Sequence, residues 1–391
     1  MTPPTTYLDW NATAPLLPAA REAILSALAL GGNPSAVHAG GRAARRLVEG
    51  ARESVADKLG AASKEIVFTS GATEANALAI FGLRPVVGHI LVSAIEHASV
   101  LDAVKASGLP YDIIPVTEAG VVDLTALTQR LDALRDTIDG LPLIAVMGAN
   151  NETGALQPLG DIVACARTAG ALVHCDAVQL LAKVPLSFRD LGVDTMTVSA
   201  HKIGGPSGIG ALVMRDDLPL VPQLRGGGQE RRRRAGTENL AGVAGFAAAA
   251  REIPTMLQEV PRLAQLRDRL EDRLARIAQQ VVFFGRSAAR LCNTSAFATP
   301  EIRADVQVVA LDLEGIAVSA GAACSSGKVE RSHVLLAMGA GKLAEEALRV
   351  SIGWSTRDED VERFLDAYTN SIARRNEKTR ARVSHLAVGA E

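Results

Sequence analysis

Residues 196–212 read MTVSAHKIGGPSGIGAL. A short apolar run ends in a polar tip carrying His201 and Lys202, and a glycine-rich turn follows. Four earlier runs have the same form: EIVFTS (65–70), HILVSAIEH (89–97), LIAVMGANN (143–151) and ALVHCDA (171–177). Between the runs lie ATEANALAIFGL (72–83), SVLDAVKASG (99–108) and DIVACARTAG (161–170), which read as helices. Near-continuous apolar strands alternating with helices predict an α/β fold, with a mostly parallel sheet covered on both faces. Ligands of such sheets sit beyond the carboxyl ends of the strands. The polar tips SGATE, EHAS, NNETG, DAVQ and SAHK fall at those ends.

With 391 residues the chain exceeds the roughly 250–300 at which one core splits, so two domains are expected. The character changes at Glu252–Gln280, a charged helical stretch that reads as a bridge. A smaller α+β unit follows: VVFFG, TSAFATP, a helix around Val306–Glu314, GIAVSAGAACSSG, LRVSIGW and a final helix from about Asp358. The last dozen residues, from near Arg380, read as frayed or disordered. The predicted division is a large domain over 15–255 and a small one from 1–14 and 256–391. A formal net charge of −2 gives no global pull toward nucleic acid or an anionic membrane. The Arg231–Arg234 run has no interleaved aromatics, so it reads as a solvated or subunit-interface feature. No apolar run approaches the roughly 20 residues of a membrane span, and MTPPTTYLDWNATAP lacks the features of a signal peptide. The four cysteines are scattered without CxxC spacing, which argues against a disulfide framework or structural zinc. A cytosolic enzyme is expected.

A lysine at a strand end can project into a cleft, lose hydration and become nucleophilic; Lys202 alone also reads as a surface lysine beside a Gly-Pro turn. SGATE puts small residues before a helix, whose free N–H groups suit a phosphate or serve an ordinary cap. Asp176 sits at a strand end, where a buried carboxylate needs a cation such as a pyridinium, unless it is an N-cap. Gln179, three residues on, reads as lying on the same helix face. His97 can stack on an aromatic ring and move protons, or be structural. Cys324 lies in AVSAGAACSSGK (317–328), where almost nothing can pack as a core; the composition predicts a mobile loop with a reactive thiol. Cys165 and Cys175 read as core residues, and Cys292, in LCNTSAF, sits in a strand-like run.

TSGATEAN, EHASVLD, NNETG, HCDAVQ, SAHKIGGPSGIGAL, GGGQE with RRAGTEN, and AACSSGK occur in this order. With them the sequence resembles a cysteine desulfurase of the NifS/IscS type, among the class V aminotransferases of fold-type I, from YLDWNATAP to LRVSIGW. The resemblance implies a seven-stranded sheet, with the large domain binding pyridoxal 5'-phosphate and the small one carrying the cysteine loop. Lys202 is then the Schiff-base lysine, Asp176 the partner of the pyridine nitrogen, Gln179 the partner of the ring hydroxyl, and His97 the stacking residue. Ala72, Thr73, Ser199 and His201 hold the phosphate. Thr237 reaches the phosphate of a neighbouring subunit, so a homodimer with shared sites is implied. Asn151 lies near the ring oxygen and the substrate, Arg349 grips the substrate carboxylate, and Asn33 lines the same pocket. The sequence departs from the family pattern at Ala320 and Ala322, where Ser is frequent, at Trp354, where many members have Arg, and at Arg232, commonly Gly.

The implied reaction takes sulfur from L-cysteine, releases L-alanine and leaves a persulfide on Cys324. Lys202 moves the Cα proton and His97 a proton on the cofactor side. The implied recipients are an iron–sulfur scaffold protein of the IscU/NifU type or other sulfur relays, with Cys324 as a transient iron–sulfur ligand shared with the scaffold. RRAGTEN and SSGK lean toward the NifS branch, and both a general and a nitrogenase-dedicated pathway stay open. The rival readings are a selenocysteine lyase, an aminotransferase on the same fold, and a non-catalytic iron-binding scaffold.

Overall fold

The structure is a computed structural model describing residues 6–278, 280–321 and 331–388, with 375–388 as helical backbone alone. The described chain opens with strand β1 (Thr6–Tyr7). A seven-stranded sheet follows: β2 (Ile66–Thr69), β3 (Val87–Ser93), β4 (Tyr111–Ile114), β5 (Leu141–Met147), β6 (Leu172–Asp176), β7 (Thr195–Ser199) and β8 (Gly210–Met214). Its spatial order is β2-β8-β7-β6-β5-β3-β4. The run from β4 to β7 is parallel, and β8 lies antiparallel between β7 and β2. The sheet is thus mixed but mostly parallel. Every residue of β6 and β7 is buried, as expected where helices cover both faces.

β4 and β8 are strands that the apolar runs did not reveal. β4 is an edge strand whose Tyr111 and Ile113 are exposed, so no continuous apolar run marks it. β8 is reached through the glycine-rich turn, where Gly204 (φ 74°) and Gly208 (φ 79°) take left-handed conformations. That reversal pairs Ser199 with Gly210.

The expected helices form over Ala72–Gly82, Ala98–Ala106 and Leu159–Ala169. The bridge is two helices, Ile253–Gln258 and Val260–Ile277, each with a proline in its first turn. Leu263, Leu266, Leu270 and Leu274 recur at helical spacing and pack into a second core with Leu8, Phe297 and Tyr368. The sheet beside that core is antiparallel, in the order β12-β13-β10-β9: β9 (Val282–Phe284), β10 (Thr294–Ala298), β12 (Ser319–Ala320) and β13 (Ala347–Ser351). β1 pairs in parallel with β11 (Ile316–Ala317). The last helix, Asp358–Val388, does not break near Arg380. Residues 376–388 contain neither Gly nor Pro and are rich in good helix formers.

Arg232 has φ 67°, a conformation in which a Cβ is strained and glycine is not. A glycine, which the resemblance implies is common at this position, fits this backbone. Arg232→Gly is therefore expected to keep the fold and raise stability by up to about 1 kcal/mol. A lower urea midpoint would mean that the arginine side chain outweighs the strain.

Candidate active site

Asp176 closes β6, and Lys202 lies in the turn Ala200–Ile203 that follows the neighbouring β7. Asp176 is buried. Its Oδ2 accepts from Asn76 Nδ2 at 2.9 Å and its Oδ1 from the Val178 N–H at 3.1 Å. Both donors are neutral, and no ion pair reaches this carboxylate among the described residues. A buried carboxylate held this way is suited to a cationic ligand atom, which is what a pyridinium nitrogen supplies. Asn76 also donates to Ser99 Oγ at 2.9 Å, and Ser99 Oγ lies 2.8 Å from His97 Nδ1. Behind it, His174 spans Asn76 Oδ1 (3.1 Å) and Thr195 Oγ1 (2.9 Å). Burial lowers the His174 pKa to about 4, against the pull of Asp176.

His97 is the N-cap of the helix Ala98–Ala106, its Nδ1 accepting the Ser99 N–H at 3.1 Å. The lone pair is thus on Nδ1, and Nε2 carries the proton of the neutral ring. Burial lowers its pKa, with Asp176 acting in the opposite sense.

The helix Ala72–Gly82 has no side-chain cap, whereas His97 and Asp123 cap the helices that follow them. Its first-turn N–H groups are thus left for an anion. A Cβ at Gly210 would lie 2.8 Å from the Gly71 carbonyl carbon, so glycine at 210 is what lets this turn close against β8. Glu74 is already engaged, accepting from Ser70 N and Arg234. Thr73 is exposed and Ala72 half-buried, while Ser199 is buried at the end of β7. His201 Nδ1 is 3.2 Å from Thr13 Oγ1; burial, then the Lys202 and Lys183 cations, lower its pKa to about 4. The residues present fit pyridoxal phosphate at each end: an uncapped helix terminus for the phosphate and a cation-free buried carboxylate for the ring nitrogen.

Lys202 Nζ donates to the main-chain oxygens of Asn11 (2.5 Å) and Ala12 (2.8 Å). Gln179 Nε2 donates to the same Asn11 oxygen at 3.0 Å. Residues 178–183 form successive turns rather than the helix face expected for Gln179, and Ala182 at φ 62° diverts the chain. Arg349, on β13, is buried. It pairs with Asp9 at 2.6 Å and donates to the Asn151 main-chain oxygen at 3.1 Å, while its buried Nε has no hydrogen-bond partner among the described residues. A guanidinium with an open, desolvated N–H suits a substrate carboxylate. Asn150 organises the turn that presents Asn151, its Oδ1 accepting from the Glu152 and Thr153 N–H groups.

Asn33 and Thr237 are exposed and hydrogen-bonded to none of these groups; Asn33 Oδ1 accepts from Ser35 N. Cys175 is fully buried and burial pushes its thiol up. Cys165 is half-buried against the large core. Cys292 is buried just before β10 and lines a cavity with Lys183, Lys202, Trp10 and Trp354. Cys324 and Ala322 lie outside the described residues, and so does the iron–sulfur role assigned to Cys324. Among the described residues no cluster of His, Cys, Asp or Glu is arranged to hold a metal ion. No helix among them is long and apolar enough to cross a membrane.

Sequence reasoning passed over Asn11, Asn76, Lys183 and Glu152. Glu152 is buried, accepts from Ser332 Oγ at 2.6 Å, and lies against Gly321, where a Cβ would be 2.9 Å from Oε2. Burial pushes its carboxyl up to about 7, against the Ser332 hydrogen bond and Arg349. An acid whose folded pKa lies above its unfolded value binds more protons when folded. Its contribution to stability is therefore lost as pH rises from about 4.5 toward 7. In Glu152→Gln that loss is removed, so stability should fall less between pH 5 and pH 7.5 than in the wild type. Parallel urea-midpoint profiles for the two proteins would contradict it.

The aminotransferase class-V profile matches residues 6–364. An IscS-like cysteine desulfurase of Mycobacterium tuberculosis is 38% identical over 382 residues, covering 94% of this chain and 96% of that protein. A cysteine desulfurase of Frankia is 42% identical over 393 residues, covering 94% and 91%. Among solved structures, a NifS-like protein from Rickettsia africae is 34% identical, with a TM-score of 0.85 and coverage of 94% and 99%. A structure of SspA in complex with cysteine is 31% identical, with a TM-score of 0.74 and coverage of 89% and 98%.

Proposed function

Because this chain belongs to the class V aminotransferase family, we propose that it is a cysteine desulfurase that takes sulfur from L-cysteine and releases L-alanine. The cofactor is pyridoxal 5'-phosphate. The observation that carries the reading is Asp176, a buried carboxylate bonded only by neutral donors, one strand away from Lys202. When bound, the cofactor supplies an electron sink that makes the substrate Cα proton acidic.

The chain's own residues do the rest. Arg349 receives the substrate carboxylate through its open Nε. Lys202, held at the Asn11 and Ala12 carbonyls, accepts the Cα proton at Nζ. His97, neutral near pH 7, holds a proton at Nε2 on the cofactor side and can exchange it there. The Cys324 thiolate attacks the substrate sulfur: the Cys324 S–S bond forms, the Cβ–S bond breaks, and the electron pair left on carbon is protonated to give alanine. The sulfur is passed on from the persulfide, in our reading to an iron–sulfur scaffold protein or another sulfur relay, within the cytoplasm. A homodimer in which Thr237 of one subunit reaches the phosphate held by the other accounts for the exposure of that loop.

Lys202→Ala is expected to lose both the visible absorbance of the bound cofactor and turnover; near-wild-type turnover of cysteine would sink the assignment. Cys324→Ser should bind cofactor, change its spectrum when cysteine is added, and lose sulfide and alanine production, since a serine hydroxyl stays protonated and is a poor nucleophile toward sulfur. Mass spectrometry of wild-type protein after turnover should find one added sulfur on Cys324. Full activity in the serine variant, or an added sulfur on Cys165, Cys175 or Cys292, would overturn the role of Cys324.

A further inference from the structure

Behind the cofactor-facing residues lies a second lysine that the reaction does not use. Lys183 Nζ donates to Gln179 Oε1 at 2.6 Å and approaches Asn11 Oδ1 at 3.4 Å. Ala182, immediately before it, holds φ 62° without being glycine. Such strain persists only where the surroundings impose it, and here it accompanies the turn that puts Lys183 beside Gln179. The amide of Gln179 therefore has an amine at its oxygen and a carbonyl, that of Asn11, at its nitrogen. A carbonyl only accepts and an ammonium only donates, so both neighbours impose one orientation of the amide. With Oε1 occupied, the remaining Nε2 hydrogen is what Gln179 offers to the site. Burial, with the Lys202 cation adding to it, lowers the Lys183 pKa to about 7. The amine is thus partly charged at neutral pH.

We propose that Lys183 is a positioning residue of the cofactor site: it fixes the Gln179 amide with nitrogen toward the ring hydroxyl and braces the Asn11 segment to which Lys202 is tethered. The inference rests on the reading that Gln179 faces the bound cofactor. Lys183 touches neither substrate nor cofactor and acts through Gln179 and Asn11.

The test is a double-mutant cycle read as the dissociation constant of pyridoxal phosphate, measured by fluorescence titration of cofactor-free protein at neutral pH. Lys183→Met keeps the apolar stem and removes the donor. It should weaken cofactor binding about tenfold, the size of one lost charge-assisted hydrogen bond, and shift the visible band of the bound cofactor. In a Gln179→Ala background the same substitution should cost less than about twofold, because the 2.6 Å bond to Gln179 is gone and only the longer 3.4 Å contact to Asn11 remains to be lost. An equal cost in both backgrounds, or a loss seen only in the unfolding midpoint of cofactor-free protein, overturns the proposal and leaves the assignment of Gln179 intact. If Gln179→Ala alone leaves the affinity unchanged, the reading of Gln179 fails and the proposal fails with it. Should Lys183→Met not fold, Lys183→Gln, which keeps a donor without the charge, is taken through the same cycle, where a loss under twofold supports the donor role and a tenfold loss independent of Gln179 overturns it.

Discussion

The site depends on one residue near the start of the chain. Asn11 is buried, and every polar group it carries is engaged. Its main-chain oxygen accepts from Lys202 and Gln179. Its side-chain oxygen accepts from Asn293 and Lys183. Its side-chain nitrogen donates to Thr294 and to the Asn151 carbonyl, and its N–H to Ser351. The partners come from β10 and the residue before it, from β13, and from the segments that follow β5, β6 and β7, so the core that holds Leu8 and the turn that holds Lys202 meet at this one residue, through its main chain as well as its side chain. A buried amide network of this kind stabilises only when complete, because each orphaned member bears its full desolvation cost.

The same economy shapes the electrostatics. Asn76 stands between Asp176 and Ser99, and so between the carboxylate and His97. His174 backs Asn76 and stays neutral because it is buried. The negative charge of Asp176 is therefore oriented without being neutralised, which a lysine or arginine in the place of Asn76 would have done. Arg349 is arranged the opposite way: Asp9 balances its charge on one side, and Nε is left open on the other.

Much of this was legible in the amino-acid sequence, and the boundary has a physical cause. Strands buried on both faces, such as β6 and β7, announce themselves as apolar runs; the edge strand β4 does not, and β8, apolar throughout as GALVM, follows the glycine turn so closely that it reads as part of it. Lys202, Asp176 and His97 sit at strand ends or caps, where a polar residue after an apolar run stands out. Asn11, Asn76 and Lys183 do not stand out, since their importance comes from partners between 4 and 340 positions away. The expected helix through Gln179 failed for a local reason: the left-handed conformation of Ala182 leaves no mark in the residue type.

The departure at Trp354 becomes intelligible in the same terms. Its ring meets Trp10 edge-on, with centroids 4.6 Å apart, and Gly353 packs so closely on Trp10 that a Cβ there would fall 2.1 Å from the ring. Both indoles line the cavity that holds Lys183, Lys202 and Cys292. An arginine at 354 would add a third cation to two amines that already lower the pKa of His201. A tryptophan instead closes the wall with apolar surface, in keeping with the burial that lowers the Lys183 pKa. The Trp10–Trp354 contact, one residue before Asn11 and three after Ser351, therefore connects the packing of the chain's first turn to the chemistry at the end of β7.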